Sequence, residues 1–449
     1  MKSPDGLTGG GRPAAPQPVG GWQPSASGPT APTPVPGRMH ALRALKHPGY
    51  RAYFFAQALS FAGTWMQSVA LGWLVFRLTG SSLLLGTVTF ASQIPTLLLA
   101  PFAGVLADRV SLPRMVAVTQ GILALVALAM AWLIFADRIT VPWILGLAVV
   151  GGIASAFDLP ARQTLLVELA GPEDLSSAIA LSSAAVNSAR LVGPAVAGLL
   201  VASVGEAVCF LINGVSFLAP IGVALWVKPS HTRAPSRRES PLEALRAGIG
   251  YARRAPHTRA VLPLVAISSF VAFPYLPMLP VFAGDVLHGG PQLLGWLNVA
   301  VGLGSIVGAL AVAALVDKRR LVPRLSVGLV CYGAGLVVLG LSRMQWLSLG
   351  ALPLVGFGML SMLSAANTVV QTDTPESMRG RVMSLYTTVL VGFFPLGALL
   401  CGAVADRIGV GPTIAVGGAV TFACGVWLWR RLPGLRALQV GEGIEARAS

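Results

Sequence analysis

Long apolar runs separated by short polar turns fill this chain from about residue 52 to residue 429. Twelve runs can be read: 52–76, 82–107, 115–135, 142–162, 176–202, 207–227, 260–284, 291–316, 323–342, 346–371, 382–405 and 411–429. Each is about 20–27 residues long, the length a tilted helix needs to cross roughly 30 Å of hydrocarbon. The pattern predicts an all-α integral membrane protein of twelve transmembrane helices. The fourth run is interrupted by Asp158 and Pro160, which are expected to close it. Only residues 228–259 form a long polar break, and they divide the helices six and six. The expected organisation is a Pro/Gly-rich disordered tail (1–40), a first six-helix bundle (41–227), a linker (228–259), a second bundle (260–430) and a tail (431–449).

Composition agrees with this reading. The chain is 54% hydrophobic and only 11% charged, with mean hydropathy +0.73, whereas soluble domains carry about a quarter charged residues. The net charge of +15 would fit a nucleic-acid partner, but its placement argues otherwise. Of the 32 Lys and Arg, 27 fall on the side carrying both chain ends, four lie on the opposite side, and Arg190 sits within a span. That asymmetry is the positive-inside signature, so both termini are expected in the cytoplasm and no nucleic acid is expected as a partner. The four cysteines lie in apolar runs at wide spacings, which predicts buried free thiols. The five histidines lie in loops or the amino-terminal tail, so no metal or other cofactor is expected. No phosphate-binding Gly-x4-Gly-Lys-[Ser/Thr] loop is present, which disfavours a nucleotide-driven pump. The bias toward Arg, Ala, Gly and Pro points to a GC-rich bacterium, and so to the inner (plasma) membrane.

The turns carry a repeat. Gly104-Val-Leu-Ala-Asp108-Arg109-Val-Ser-Leu-Pro-Arg114 lies between the second and third runs, and Asp317-Lys-Arg-Arg320 lies between the eighth and ninth. Pro172-Glu-Asp-Leu175 after the fourth run returns as Pro375-Glu-Ser-Met378 after the tenth. The halves therefore read as copies of one unit, as in carriers with a midplane site. Gly104 would let a neighbouring backbone approach closely, and Asp108 could face the positive end of a neighbouring helix. Within the linker, Pro241–Arg254 places Leu242, Leu245, Ile249 and Tyr251 near one face. It reads either as an interfacial helix or as a simple tether.

Charges inside the runs are few, and each reads as a candidate site. Arg190 falls near the middle of the fifth run, where a charge is costly and faces the bundle interior. Ser183, Asn187, Arg190 and Pro194 share one helical face. Gly193-Pro194 frees a backbone carbonyl and permits a bend, and Gly198 allows tight packing. Of the seventeen Asp and Glu, Asp158 alone lies at membrane depth away from a helix end. It is the candidate proton carrier, with Arg190 or Arg162 as its partner, and an i, i+4 pair with Arg162 is the simpler reading. Trp65, Gln67 and Gln93 add a polar wall in the first half. Asn298, Tyr275, Tyr332, Asn367, Phe393 and Phe394 make the second half a greasier one.

The Gly104–Arg114 turn resembles the loop signature of the major facilitator superfamily, and the likeness covers about residues 42–430. More specific stretches resemble its enterobactin-exporter-like (transmembrane secretion effector) branch. They are Gly63-Thr-Trp65-Met-Gln67-Ser-Val-Ala70, Phe157-Asp-Leu-Pro-Ala-Arg-Gln163, Asn187-Ser-Ala-Arg190-Leu-Val-Gly-Pro194 and Arg379-Gly-Arg381-Val-Met-Ser384. The resemblance implies the major facilitator fold and export of a small amphipathic molecule, drug-like or siderophore, by proton antiport with alternating access. It implies no enzyme activity and a monomer in the bilayer. On this view Arg190, Asn187, Gln93, Trp65, Gln67 and Phe393 bind substrate and Asp158 carries the proton. Gly104, Asp108, Arg109, Arg114, Asp317, Arg320, Gly193, Pro194 and Gly198 gate. In the superfamily Asp108 would face helix 11, and Gly193-Pro194 resembles an antiporter motif, with Ala189 where that motif begins with Gly. Ser111-Leu-Pro113 departs from the family's basic run. The central Arg of many drug antiporters is missing from helix 4, which reads Val149-Val-Gly-Gly152. A proton-symporting importer, a uniporter and a non-transporting sensor or assembly partner remain the alternatives.

Overall fold

The computed structural model describes residues 42–107, 110–171, 173–227, 241–314 and 321–448; side chains are described for most of these, up to Arg431. Among the described residues every regular element is helical, and twelve spans are long and apolar enough to cross a membrane. A short 3-10 turn (Arg43–Lys46) precedes α1 (Pro48–Thr79). There follow α2 (Ser82–Ala107), α3 (Leu112–Phe135), α4 (Val141–Ala170) and α5 (Leu175–Val204). The sixth span is split at Phe217 into α6 (Glu206–Ser216) and α7 (Leu218–Trp226). The linker helix α8 (Pro241–Arg254) comes next. The seventh span is also broken, into α9 (Pro256–Val271), α10 (Tyr275–Val281) and a π turn (Phe282–Val286), where Pro274 and Pro280 interrupt regular bonding. α11 (Pro291–Ala313), α12 (Leu321–Leu341), α13 (Gln345–Asp373), α14 (Glu376–Ile408) and α15 (Val410–Ala448) complete the chain.

Three boundaries differ from the sequence reading. α4 does not close at Asp158-Pro160 but continues to Ala170. A proline removes one backbone bond and tilts the axis, and flanking turns with enough tertiary support carry the helix past it. Asp158 therefore stands near mid-length of a 30-residue helix, deeper than a helix end. α14 begins at Glu376, so residues 376–381 are helix rather than turn. α15 extends past its span, so most of residues 431–449 are helical. The Pro/Gly-rich tail (1–40) lies outside the described residues.

α8 packs on protein. Tyr251 donates to the Asp373 carbonyl at 2.7 Å, Ile249 packs against the core, and Gly248 leaves room for the Arg381 carbonyl of α14. The apolar face read from the sequence is thus spent, in its described part, on the second half of the chain.

The halves meet along two seams, α2 with α14 and α5 with α11. A shift of six spans turns one pair into the other, which is the geometry paired halves require. With twelve spans both chain ends share one side, the tail side; the opposite is the far side. Glycines bring the seams together on the far side. A side chain at Gly86 would run into the Ala398 carbonyl, and Gly198 and Gly295 lie backbone to backbone. Gly72 of α1 likewise sits against Pro280 of α10. The far side is therefore closed by backbone-to-backbone packing.

Candidate functional site

A cavity in the first half is built on one face of α1. Phe54, Gln57, Phe61 and Trp65 face a 420 Å³ cavity that α4 and α5 complete with Arg162, Gln163, Ser182 and Val186. Two guanidiniums stack on this face one helical turn apart. The Arg162 Cζ lies 4.7 Å from the Phe61 ring centroid, and the Arg190 Cζ lies 5.0 Å from that of Trp65. Each cation thus keeps a favourable neighbour where water is scarce.

Asp158 is 3% exposed. Thr119 of α3 donates to its Oδ1 at 3.0 Å, and Arg162 approaches its Oδ2 at 3.5 Å. The acid is therefore buried behind the cavity wall while its cationic partner stands in the wall. Of the two partners the sequence left open, the structure selects Arg162, one turn along the same helix. Tyr53 and Gln57 complete the surroundings: Gln57 Nε2 donates to the Tyr53 hydroxyl at 3.0 Å, and Gln57 Oε1 is buried with no partner.

Arg190 instead stands within electrostatic range of Tyr275 of α10, in the other half. The Arg190 Nε and the Tyr275 hydroxyl are both buried without a hydrogen-bond partner. Tyr275 packs edge-on to Tyr332 at 6.2 Å, so the wall read as merely greasy brings a polar atom to the guanidinium.

The other sequence candidates divide. Trp65 lines the cavity, and Asn187 lies half-buried on α5 with its amide donating to the Ser183 carbonyl. Gln67 accepts from Asn213 of α6 at 2.6 Å, so it ties two helices of one half together and stands outside the cavity lining. Gln93 is half-buried on α2, and Phe393 of α14 packs edge-on to Phe270 at 6.4 Å. Gly193 packs against Trp65 and the Ala62 carbonyl within the first half, whereas the Pro194 carbonyl and Gly198 face Gly295 across the seam. Gly104 lies in the last turn of α2, and Arg114 is exposed at the start of α3. Asp108, Arg109, Asp317 and Arg320 lie outside the described residues. Within the Val149–Gly152 stretch of helix 4, Gly152 sits against the Ser92 carbonyl of α2, and Thr96 donates to the Gly152 carbonyl at 3.3 Å. A large side chain does not fit there.

Sequence reasoning missed Asp406. It stands on the last turn of α14 and accepts from the Ser81 hydroxyl at 2.8 Å and from the amides of Ser82 at 2.7 Å and Leu83 at 3.3 Å. The signal was available, because Gly402-Ala-Val-Ala-Asp406-Arg407 repeats the spacing of Gly104-Val-Leu-Ala-Asp108-Arg109.

The model of the transmembrane secretion effector family matches residues 39–441. A multidrug efflux pump, Tap, of Mycobacterium tuberculosis is 31% identical over 413 residues, covering 86% of this chain and 94% of that protein. The staphyloferrin A transporter of Staphylococcus aureus is 25% identical, covering 82% and 93%. The enterobactin exporter EntS of Escherichia coli is 28% identical, covering 79% and 85%. Among solved structures, the nucleoside transporter NupG superposes with a TM-score of 0.67 at 12% identity, covering 87% of this chain and 99% of that one. At that identity the likeness speaks to fold alone. With twelve apolar spans, a cavity in the first half and a family match along nearly its whole length, the chain belongs to the transmembrane secretion effector family of the major facilitator superfamily, and is a multi-pass membrane transporter rather than an enzyme.

Proposed function

We propose that the protein exports a small amphipathic molecule by proton antiport with alternating access, with its tail side in the cytoplasm. The charge asymmetry of the turns supports that orientation. The names of the relatives, an efflux pump and two siderophore carriers, support export. The observation that carries the coupling is the Asp158–Arg162 pair, with the acid buried and the cation in the cavity wall.

While Asp158 is ionised, it holds Arg162 back against Phe61 and leaves the cavity free. Protonation removes the negative partner, and Arg162 then carries an uncompensated charge into the wall. A neutral or cationic amphiphile binds better before protonation and is expelled after it. That linkage has the sign of antiport. For an anionic substrate the sign reverses, because the freed Arg162 would then attract it. The electrostatics therefore favour a neutral or cationic compound with an aromatic or apolar body. Its acceptor groups would meet the Arg190 Nε and the Tyr275 hydroxyl, both buried without a partner.

Arg190→Ala is expected to raise the apparent KM at least about tenfold, in line with roughly 1.5–3 kcal/mol for a hydrogen bond to a charged group. Arg190→Lys should fall between it and the wild type, and transport kinetics in everted vesicles would check both.

The test of the function is accumulation of a panel of dyes, antibiotics and a catecholate siderophore in efflux-deficient cells, with and without a protonophore. Lowered accumulation of a compound, restored by the protonophore, is the expected result. Uptake rather than extrusion under the same gradient would replace export with proton-symporting import. No change across the panel would turn the reading toward a non-transporting role.

A further inference from the structure

α2 and α14 cross the membrane antiparallel and in a fixed register: Gly86 faces Ala398, and further along Leu97 faces Gly392. At the far end of this seam Gly402 lies 3.0 Å from the Leu83 Cα, measured from where its Cβ would be. There Asp406 takes the amides of Ser82 and Leu83, while the Ser81 hydroxyl takes that of Leu84 at 3.2 Å. Three of the four amides that a helix start leaves free are thus satisfied, two of them by a residue from the other half of the chain. The carboxylate has a strong reason to reach across. On its own helix it stands at the negative carboxyl end, where an anion is disfavoured, and on α2 it meets the positive amino end.

The same register brings the first turn of α14, which begins at Glu376, to the end of α2 that leads into Asp108.

We propose that Asp406 is a far-side clasp between α2 and α14. It holds the outer face shut in the state described here and releases when the protein opens outward. The proposal rests on the alternating-access reading.

The test uses the full chain in intact cells, with Cys209, Cys331, Cys401 and Cys424 replaced and a reporter Ser82→Cys. Ser82 is 3% exposed at this seam, so reaction with a membrane-impermeant maleimide reads opening of the outer face. Asp406→Ala is expected to raise the labelling rate about fivefold, the factor that about 1 kcal/mol of capping corresponds to. Asp406→Asn should raise it less, because the amide oxygen still accepts. Ser81→Ala is expected to give about a twofold rise and serves where Asp406→Ala fails to fold. Gly86→Leu, which wedges the seam, is the positive control. Fast labelling in Gly86→Leu with no change in the Asp406 and Ser81 variants would overturn the clasp and leave alternating access standing. A reporter that stays inert even in Gly86→Leu would sink alternating access itself, and the clasp with it.

Discussion

Asp158→Asn is expected to abolish uphill export while leaving downhill flux of the same compound measurable, at a raised KM. One proton crossing about 100 mV of driving force releases about 2.3 kcal/mol, which sustains roughly a 50-fold concentration ratio. The variant cannot take up that proton, so its steady-state ratio should fall to about one. Asn keeps an oxygen for the Thr119 hydroxyl, which sits 3.0 Å from the native carboxylate, so local packing is conserved. What it loses is the negative partner of Arg162, 3.5 Å away on the next turn. The guanidinium then stands permanently in the state that protonation produces. Measurement needs everted vesicles energised with a defined gradient, and counterflow without one. A variant that still concentrates substrate would move the proton site away from Asp158. One that loses counterflow as well would show that the acid is needed to hold the cavity together. Arg162→Ala separates the two cases, because it leaves a titratable but unpaired acid.

Gly198→Leu should be nearly as damaging, for a different reason. Gly198 of α5 and Gly295 of α11 meet backbone to backbone, with 2.9 Å between the Gly295 Cα and a Cβ placed on Gly198. Four added carbons have no room unless the two helices part. Forcing extra carbons into a close-packed site costs roughly 1–3 kcal/mol. Here the cost falls on the state in which the far side is shut. A shift of that size depletes the closed state about 5- to 150-fold, so export should drop at least about fivefold with little change in membrane yield. Labelling at Ser82→Cys should rise alongside. Normal export by Gly198→Leu would show that this seam does not open during turnover. Gly193 is the informative contrast. It packs on Trp65 and Ala62 within one half, so its enlargement should harm folding and the cavity rather than bias the two faces.

These expectations divide the residues first grouped as gates. Gly198 and the Pro194 carbonyl belong to a seam between halves, whereas Gly193 shapes the wall that holds Trp65. Gln67, grouped with the substrate contacts, holds α1 to α6 through Asn213. Asp406, unassigned before, bridges the halves at the far face. The physical cause is the same each time: a helical residue's role depends on which neighbour its face meets.

Hydrophobic periodicity determined the twelve spans, because membrane length is a local demand that each run satisfies by itself. The charged turns determined the six-and-six division and the family signature, and the distribution of Lys and Arg gave the expected orientation. The Asp158–Arg162 pair was also legible, since i, i+4 spacing fixes a neighbour within one helix. Tertiary structure alone decided the rest. It carried α4 past Pro160 and so set the depth of Asp158, and it put Gly152 where a backbone of α2 crosses. It also brought Tyr275 within electrostatic range of Arg190 and placed Asp406 on the start of α2. Each of these depends on the rotation and register of helices far apart in the chain. An apolar run encodes that it crosses the bilayer, but close packing between small residues decides which face looks inward, and at what height.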